Sequence, residues 1–172
     1  VGIRSVREKF GFVFQSAALF DSMNVYDNVA FGLRESKKRS ETIIRQVVLE
    51  KLELVGLAGK EYMAVSDLSG GMRKRVGIAR ALAFDPEILI FDEPTTGLDP
   101  VVSKNVEELI VKLKHDLNIT IIVVTHQLST IFRVSDRIIY LNGGKVKEID
   151  SVSALKETPD PEIKDFIGAG LV

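Results

Sequence analysis

The residues best suited to chemistry are two adjacent acids, Asp92 and Glu93, placed directly after the apolar run Ile88-Leu89-Ile90-Phe91. Neighbouring carboxylates repel each other and lose hydration where a strand leaves a core. Their pairing therefore points to a cation or a reacting water at that spot. The plainer reading, acids favouring a helix N-terminus, fits less well. Pro94 and Gly97 end a strand here and open a loop through Leu98, Asp99 and Pro100. Three further stretches carry candidate groups. Gln15 follows the apolar Phe10–Phe14. Thr125-His126 follows Ile119-Thr120-Ile121-Ile122-Val123-Val124. Leu68-Ser69-Gly70-Gly71-Met72 opens a helix with free backbone N–H groups that favour a phosphate.

The elements that must position these groups alternate between strand and helix. Continuous apolar runs such as Ile88–Phe91 read as parallel strands buried on both faces. Their carboxyl ends are where open α/β sheets bind ligands. Residues 1–9 are polar, with a helical end expected. Phe10–Phe14 reads as a short strand and Ser16–Asp21 as a loop. Asn24 is a candidate cap for a helix through Leu33. A second helix is expected over Glu41–Val55, where Ile44, Val47, Val48, Leu52 and Val55 recur at helical spacing. Ser69 is a candidate cap for a helix reaching about Phe84. Arg73, Lys74 and Arg75 read as its charged first turn, opposite a buried face of Val76, Ile78, Ala79 and Leu82. Lys37, Lys38 and Arg39 read as a solvated turn.

After Pro100 a helix is expected over Val102–His115, with His115 at the surface. It joins Ile88–Phe91 to Ile119–Val124 as a βαβ unit, which would place His126 beside Asp92 and Glu93. Asp136–Leu141 and Lys145–Ile149, joined by Asn142-Gly143-Gly144, read as a hairpin. Ser151–Lys156 is a candidate capped helix, and a last short helix is expected around Glu162–Ile167.

Bulk properties narrow the function classes. With 172 residues, 45% of them hydrophobic, the chain suits one domain with a real core. The formal charge of -1 gives no electrostatic reason to expect nucleic-acid binding. With no cysteine, disulfides and thiolate metal sites are excluded. No apolar stretch approaches the ~20 residues that span a bilayer, so a membrane role is expected only through a partner. Arg4, Arg7, Glu8 and Lys9 interrupt the first residues, so no secretory signal is expected.

In order and spacing these residues resemble the nucleotide-binding domain of an ATP-binding cassette (ABC) transporter. Gln15 matches that family's Q-loop, and Leu68–Met72 its signature motif. Ile88–Glu93 matches Walker B with its catalytic glutamate. Gly97-Leu98-Asp99 matches the D-loop, and His126 the switch histidine. The stretch Phe14–Val29, Met72 and the tail Pro159-Asp160-Pro161-Glu162 to Phe166-Ile167-Gly168 are similar to ATPases of Mla-type and Mce-associated lipid transporters. The resemblance implies an α/β, P-loop NTPase-like (RecA-like) parallel sheet with an inserted α-helical subdomain. Residues 24–84 would be the helical subdomain and signature helix, 85–150 the core, and 151–172 a helical tail. No G-x-x-x-x-G-K-[ST] occurs in the sequence. The expectation is therefore the carboxyl-terminal portion of a longer protein, truncated at its N-terminus, with the isolated chain inactive.

The resemblance further implies ATP hydrolysis that drives transport, of phospholipid or another hydrophobic substrate. The implied cofactors are ATP and Mg2+. By that resemblance Asp92 and Gln15 hold Mg2+, Glu93 is the general base, and Gln15 touches the metal or the water. His126 hydrogen-bonds the γ-phosphate. Ser69, Gly70 and Gly71 bind the nucleotide on a second copy, and Asp99 links the two sites. Implied partners are a transmembrane permease, contacted around Ala18–Leu33, and a second ATPase subunit in a homodimer, with no nucleic acid. The implied location is the cytoplasmic face of the inner membrane, peripherally. Rival readings are a DNA-repair or chromosome-organising ATPase, and a folded but inactive remnant. The first would carry long coiled-coil insertions before its signature, and the compact stretch from Gln15 to Leu68 shows no heptads.

Overall fold

The structure is a computed structural model that describes Val6 and residues 8–170. The expected helical end of residues 1–9 falls largely outside them. The chain divides into two compact units, one ending at Val124 and the other beginning at Thr125.

The first unit is built on a three-stranded parallel sheet. Its strands are β1 (Phe10–Val13), β2 (Ile88–Asp92) and β3 (Thr120–Val124), with β2 in the middle. Phe10 pairs with Ile88 and Val13 with Phe91. On the other side Ile88 pairs with Thr120 and Asp92 with Val124. This register brings Phe14-Gln15, Asp92-Glu93 and the end of β3 to one carboxyl edge.

The sheet departs from the expected burial on both faces. Gly11, Val13, Leu89 and Phe91 are buried on one side. On the other, Phe10, Phe12, Ile122 and Val124 are exposed, and Ile88 and Ile90 are half-buried. The apolar run therefore has the period-2 burial of a one-sided sheet. Leu89 and Phe91, both fully buried, each contribute roughly 1.5–3 kcal/mol by leaving water.

The helices of this unit are α1 (Val25–Ser36), α2 (Glu41–Leu54), α3 (Gly70–Leu82) and α4 (Pro100–Leu117), with a 3-10 turn at Val65–Asp67; α3 packs on the sheet, and α1, α2 and α4 pack on α3. Each start has a local cause. Asn24 Oδ1 accepts from Asp27 N at 2.7 Å. Ser40 Oγ accepts from Ile43 N, and Ser69 Oγ from Met72 N at 3.3 Å. These bonds satisfy N–H groups that a helix start leaves open. Helix α3 packs on β1, where Gly11 is required: a Cβ there would meet Ala81 O and Leu89 Cδ1 at 2.8 Å.

The second unit holds α5 (Leu128–Val134), the hairpin β4 (Ile138–Asn142) and β5 (Lys145–Ile149), α6 (Val152–Lys156) and α7 (Pro161–Gly170). Gly143 and Gly144 both have positive φ, 53° and 73°, as a type I′ turn requires. Leu128, Ile131, Ile149, Leu155 and Ile163 form its core. Helix α5 lies outside the elements expected from the sequence. Seven residues give too little periodicity, and Gln127 offers it no side-chain cap.

Candidate active site

Gln15, Asp92, Thr96 and Gly97 line one recess of about 510 Å3, together with Phe14 and Ser16. The register of β1 against β2 produces it. Val13 pairs with Phe91, so Phe14 and then Gln15 leave β1 beside the end of β2, where Asp92 stands. Gln15 is exposed and Asp92 half-buried.

Glu93, the next residue, has a left-handed backbone with φ 46°. For a residue other than glycine this costs on the order of 1–3 kcal/mol and persists only where neighbours over-determine it. Three of them do. Glu93 N donates to Val124 O at 2.9 Å. Thr96 Oγ1 donates to Glu93 Oε2 at 3.1 Å. Lys74 Nζ donates to Glu93 O at 3.2 Å. The carboxylate is thereby aimed by its neighbour Thr96, and its main chain is tied to β3 and α3.

Lys74 departs from its expected place in a charged first turn opposite the buried face of α3. It is 5% exposed, and its Nζ also donates to Gln15 O at 2.5 Å. Burial pushes its pKa down, while the Glu93 and Asp92 carboxylates work the other way. Arg73 and Arg75 are likewise tied to main-chain oxygens, of Leu68 and Val55. A signal existed in the sequence. Gly71, Lys74, Ile78 and Leu82 share one helical stripe, and all four are buried.

Ser69 and Gly70 are exposed at the start of α3, whereas Gly71 is buried. A Cβ at Gly71 would stand 2.6 Å from Val102 Cγ1, so this glycine lets α3 approach α4. Asp99 caps α4: its Oδ1 accepts from Val101 N and Val102 N, both at 3.0 Å. Pro100 follows at the first helical position, where no N–H is needed. His126 is exposed, two residues past β3, and belongs to the second unit. His115 is also exposed, as expected.

The donor set suits a hard cation. Mg2+ takes oxygen ligands and is usually held by one or two side chains plus phosphate and water. Asp92 and Gln15 supply side-chain oxygens to one recess, which fits that demand. Among the described residues no cluster of three or more His, Cys, Asp or Glu forms a dedicated metal cage.

Known proteins place this chain in a family. The family described as "ABC transporter" matches residues 2–96, more than half of the chain. The protein belongs to the ABC transporter family. It is 43% identical over 162 residues to the probable ribonucleotide transport ATP-binding protein mkl of Mycobacterium leprae. That alignment covers 94% of this chain and 47% of the relative. It is 39% identical over 163 residues to the intermembrane phospholipid transport system ATP-binding protein MlaF of Escherichia coli K12, covering 95% of this chain and 61% of the relative. A solved structure of cbiO1 from Clostridium perfringens, part of the ABC transporter complex cbiONQ, superposes with a TM-score of 0.81 at 32% identity. It matches 97% of this chain and 66% of the other. The chain thus spans about half to three fifths of the length of these curated relatives, and its α/β fold is that of ABC ATPases.

Proposed function

We propose that the whole protein is the ATP-binding subunit of an ABC transporter, hydrolysing ATP to ADP and phosphate to drive transport. The observation that carries this reading is the shared recess of Gln15 and Asp92, with Glu93 fixed beside it at the carboxyl edge of the sheet.

Asp92 and Gln15 hold Mg2+, which when bound neutralises charge on the transferring phosphoryl group. Glu93 accepts a hydrogen bond from the attacking water and polarises it, while Thr96 keeps its carboxylate in one orientation. His126 donates to the γ-phosphate and stabilises charge as it develops. Ser69, Gly70 and Gly71 bind the γ-phosphate held by a second copy. The Ser69 hydroxyl accepts from Met72 N and keeps its own O–H free to donate. Asp99 links the two sites of a homodimer while holding the start of α4. Positioning supplies most of the catalysis, since no covalent protein intermediate is needed.

Residues 24–84 act as a helical subdomain, 85–150 complete the core and 151–172 form a helical tail. A permease docks against the Q-loop side of the helical subdomain. This is supported by an apolar groove lined by Phe12, Phe14, Ala18, Phe20, Phe31 and Phe84 among others. No helix among the described residues is long and apolar enough to cross a membrane. In this reading the subunit is held at the cytoplasmic face of the inner membrane by that partner. The kinship with MlaF supports phospholipid, or another hydrophobic molecule, as the cargo.

Glu93→Gln in the full-length protein tests the assignment. It should abolish steady-state hydrolysis, measured by phosphate release, while ATP binding by calorimetry is retained. Near-normal turnover would remove Glu93 from the mechanism.

A further inference from the structure

Two basic side chains on α3 reach back to the turn that carries Gln15, and they grip its main chain rather than its side chains. Lys74 Nζ donates to Gln15 O at 2.5 Å and to Glu93 O at 3.2 Å. One turn and a half further along, Arg80 donates through one terminal nitrogen to Ala18 O at 2.7 Å and through the other to Ala17 O at 2.6 Å. Ala17 and Ala18 have left-handed backbones, with φ 60° and 45°. Neither is glycine, so the turn does not favour this shape by itself. Gly77 lies between the two cations on α3, and a Cβ there would stand 3.2 Å from Ala17 Cβ. Ala17 is therefore packed directly onto the helix. The far end of the loop is held separately, by Asn28.

We propose that Lys74 and Arg80 are positioning residues, which clamp the turn Gln15–Ala18 and the main chain of Glu93 so that Gln15, Asp92 and Glu93 keep one mutual geometry. The inference rests on the catalytic reading above for the meaning of that geometry, but the clamp itself is a property of this chain. A single helix then links the signature residues Ser69–Gly71 to both carboxyl-edge turns. A shift of α3 moves Gln15 and Glu93 together.

Hydrogen exchange by mass spectrometry, beside ATPase kinetics of the full-length protein, tests this. In Arg80→Met, the Ala17 amide should exchange at least about tenfold faster, as the loss of a charged hydrogen bond allows, while the Phe20 amide, held by Asn28, should change less. Amides of α1, α2 and β2 should keep their wild-type rates. Arg80→Lys, which keeps one donor, should recover part of the protection. Adding Ala18→Gly to Arg80→Met should recover part as well, because glycine accepts the left-handed backbone. Lys74→Met should lower kcat by ~100-fold with little change in the KM for ATP, since the geometry of the reacting groups is lost rather than nucleotide contacts.

Unchanged loop exchange in both Met variants would overturn the clamp. So would an even rise over every element, which would mark a merely structural role. Faster loop exchange with wild-type kcat would overturn the positioning role. If the wild-type protein hydrolyses no ATP, the catalytic reading fails, and the exchange experiment still decides the clamp.

Discussion

Asn28 offers the sharpest test of how the loop beyond Gln15 is held. It is fully buried in α1. Its Oδ1 accepts from Phe20 N at 2.8 Å. Its Nδ2 donates to Phe20 O at 3.1 Å, to Asn24 O at 3.0 Å and, weakly, to Met23 O at 3.4 Å. Asn28→Ala removes three good hydrogen bonds at about 1 kcal/mol each, a net loss of roughly 3 kcal/mol. Phe20 is partly exposed, so water can re-pair its orphaned groups and the total should not rise much further. Asn28→Asp is the more informative change. The acceptor for Phe20 N survives, but a carboxylate would now face three carbonyl oxygens in a buried site. Its folded pKa must therefore rise above the ordinary value of about 3.9. A raised carboxyl pKa means that the folded state binds the proton more tightly than the unfolded one. The variant should thus be most stable below the unfolded value and lose stability as pH rises through the folded value. Urea unfolding at about pH 4.5 and about pH 7.5 reads this directly. Asn28→Asp should approach wild type in acid and fall below Asn28→Ala near neutrality. An aspartate variant as stable as wild type at neutral pH would refute the reasoning, because the site would then have to accept an anion.

Two other expectations follow from close contacts elsewhere. Gly71→Ala should destabilise by about 1–3 kcal/mol, since its Cβ would meet Val102 Cγ1 at 2.6 Å. A denaturant midpoint matching wild type would show that α3 and α4 can separate freely. In the second unit, Lys147 lies between Asp160 at 2.8 Å and Glu162, and Asn142 also donates to Glu162. These bonds hold both carboxyls below their ordinary values. The stability they contribute is present above about pH 4 and is lost as pH falls through the lowered folded values. Lys147→Ala should flatten the acid limb of the thermal-midpoint profile between about pH 5 and pH 2, and an unchanged limb would refute the linkage.

The sequence alone determined most of the alternation of strand and helix, because every element except α5 declares itself locally. Ile88–Phe91 and Ile119–Val124 are nearly continuous apolar runs, and Asn24, Ser69 and Ser151 stand where helices need a side-chain acceptor. Asn142-Gly143-Gly144 set a turn that only positive φ satisfies. The ABC family membership was legible too, since motifs in a fixed order survive without any knowledge of contacts. Only the tertiary structure decided which side of the sheet is covered, because a strand's apolar run is the same whether one face or both meet a helix. It also decided the fate of charges on α3. Arg73, Lys74 and Arg75 are three consecutive cations in the sequence, and periodicity could suggest only that Lys74 lies on the buried stripe. What it bonds there depends on carbonyls contributed by Gln15 and Glu93, which are 59 and 19 residues away along the chain. Hydrogen bonds between distant main-chain groups leave no local pattern. Strained turns at Ala17, Ala18 and Glu93 leave none either, because their cost is met by neighbours that only folding brings near.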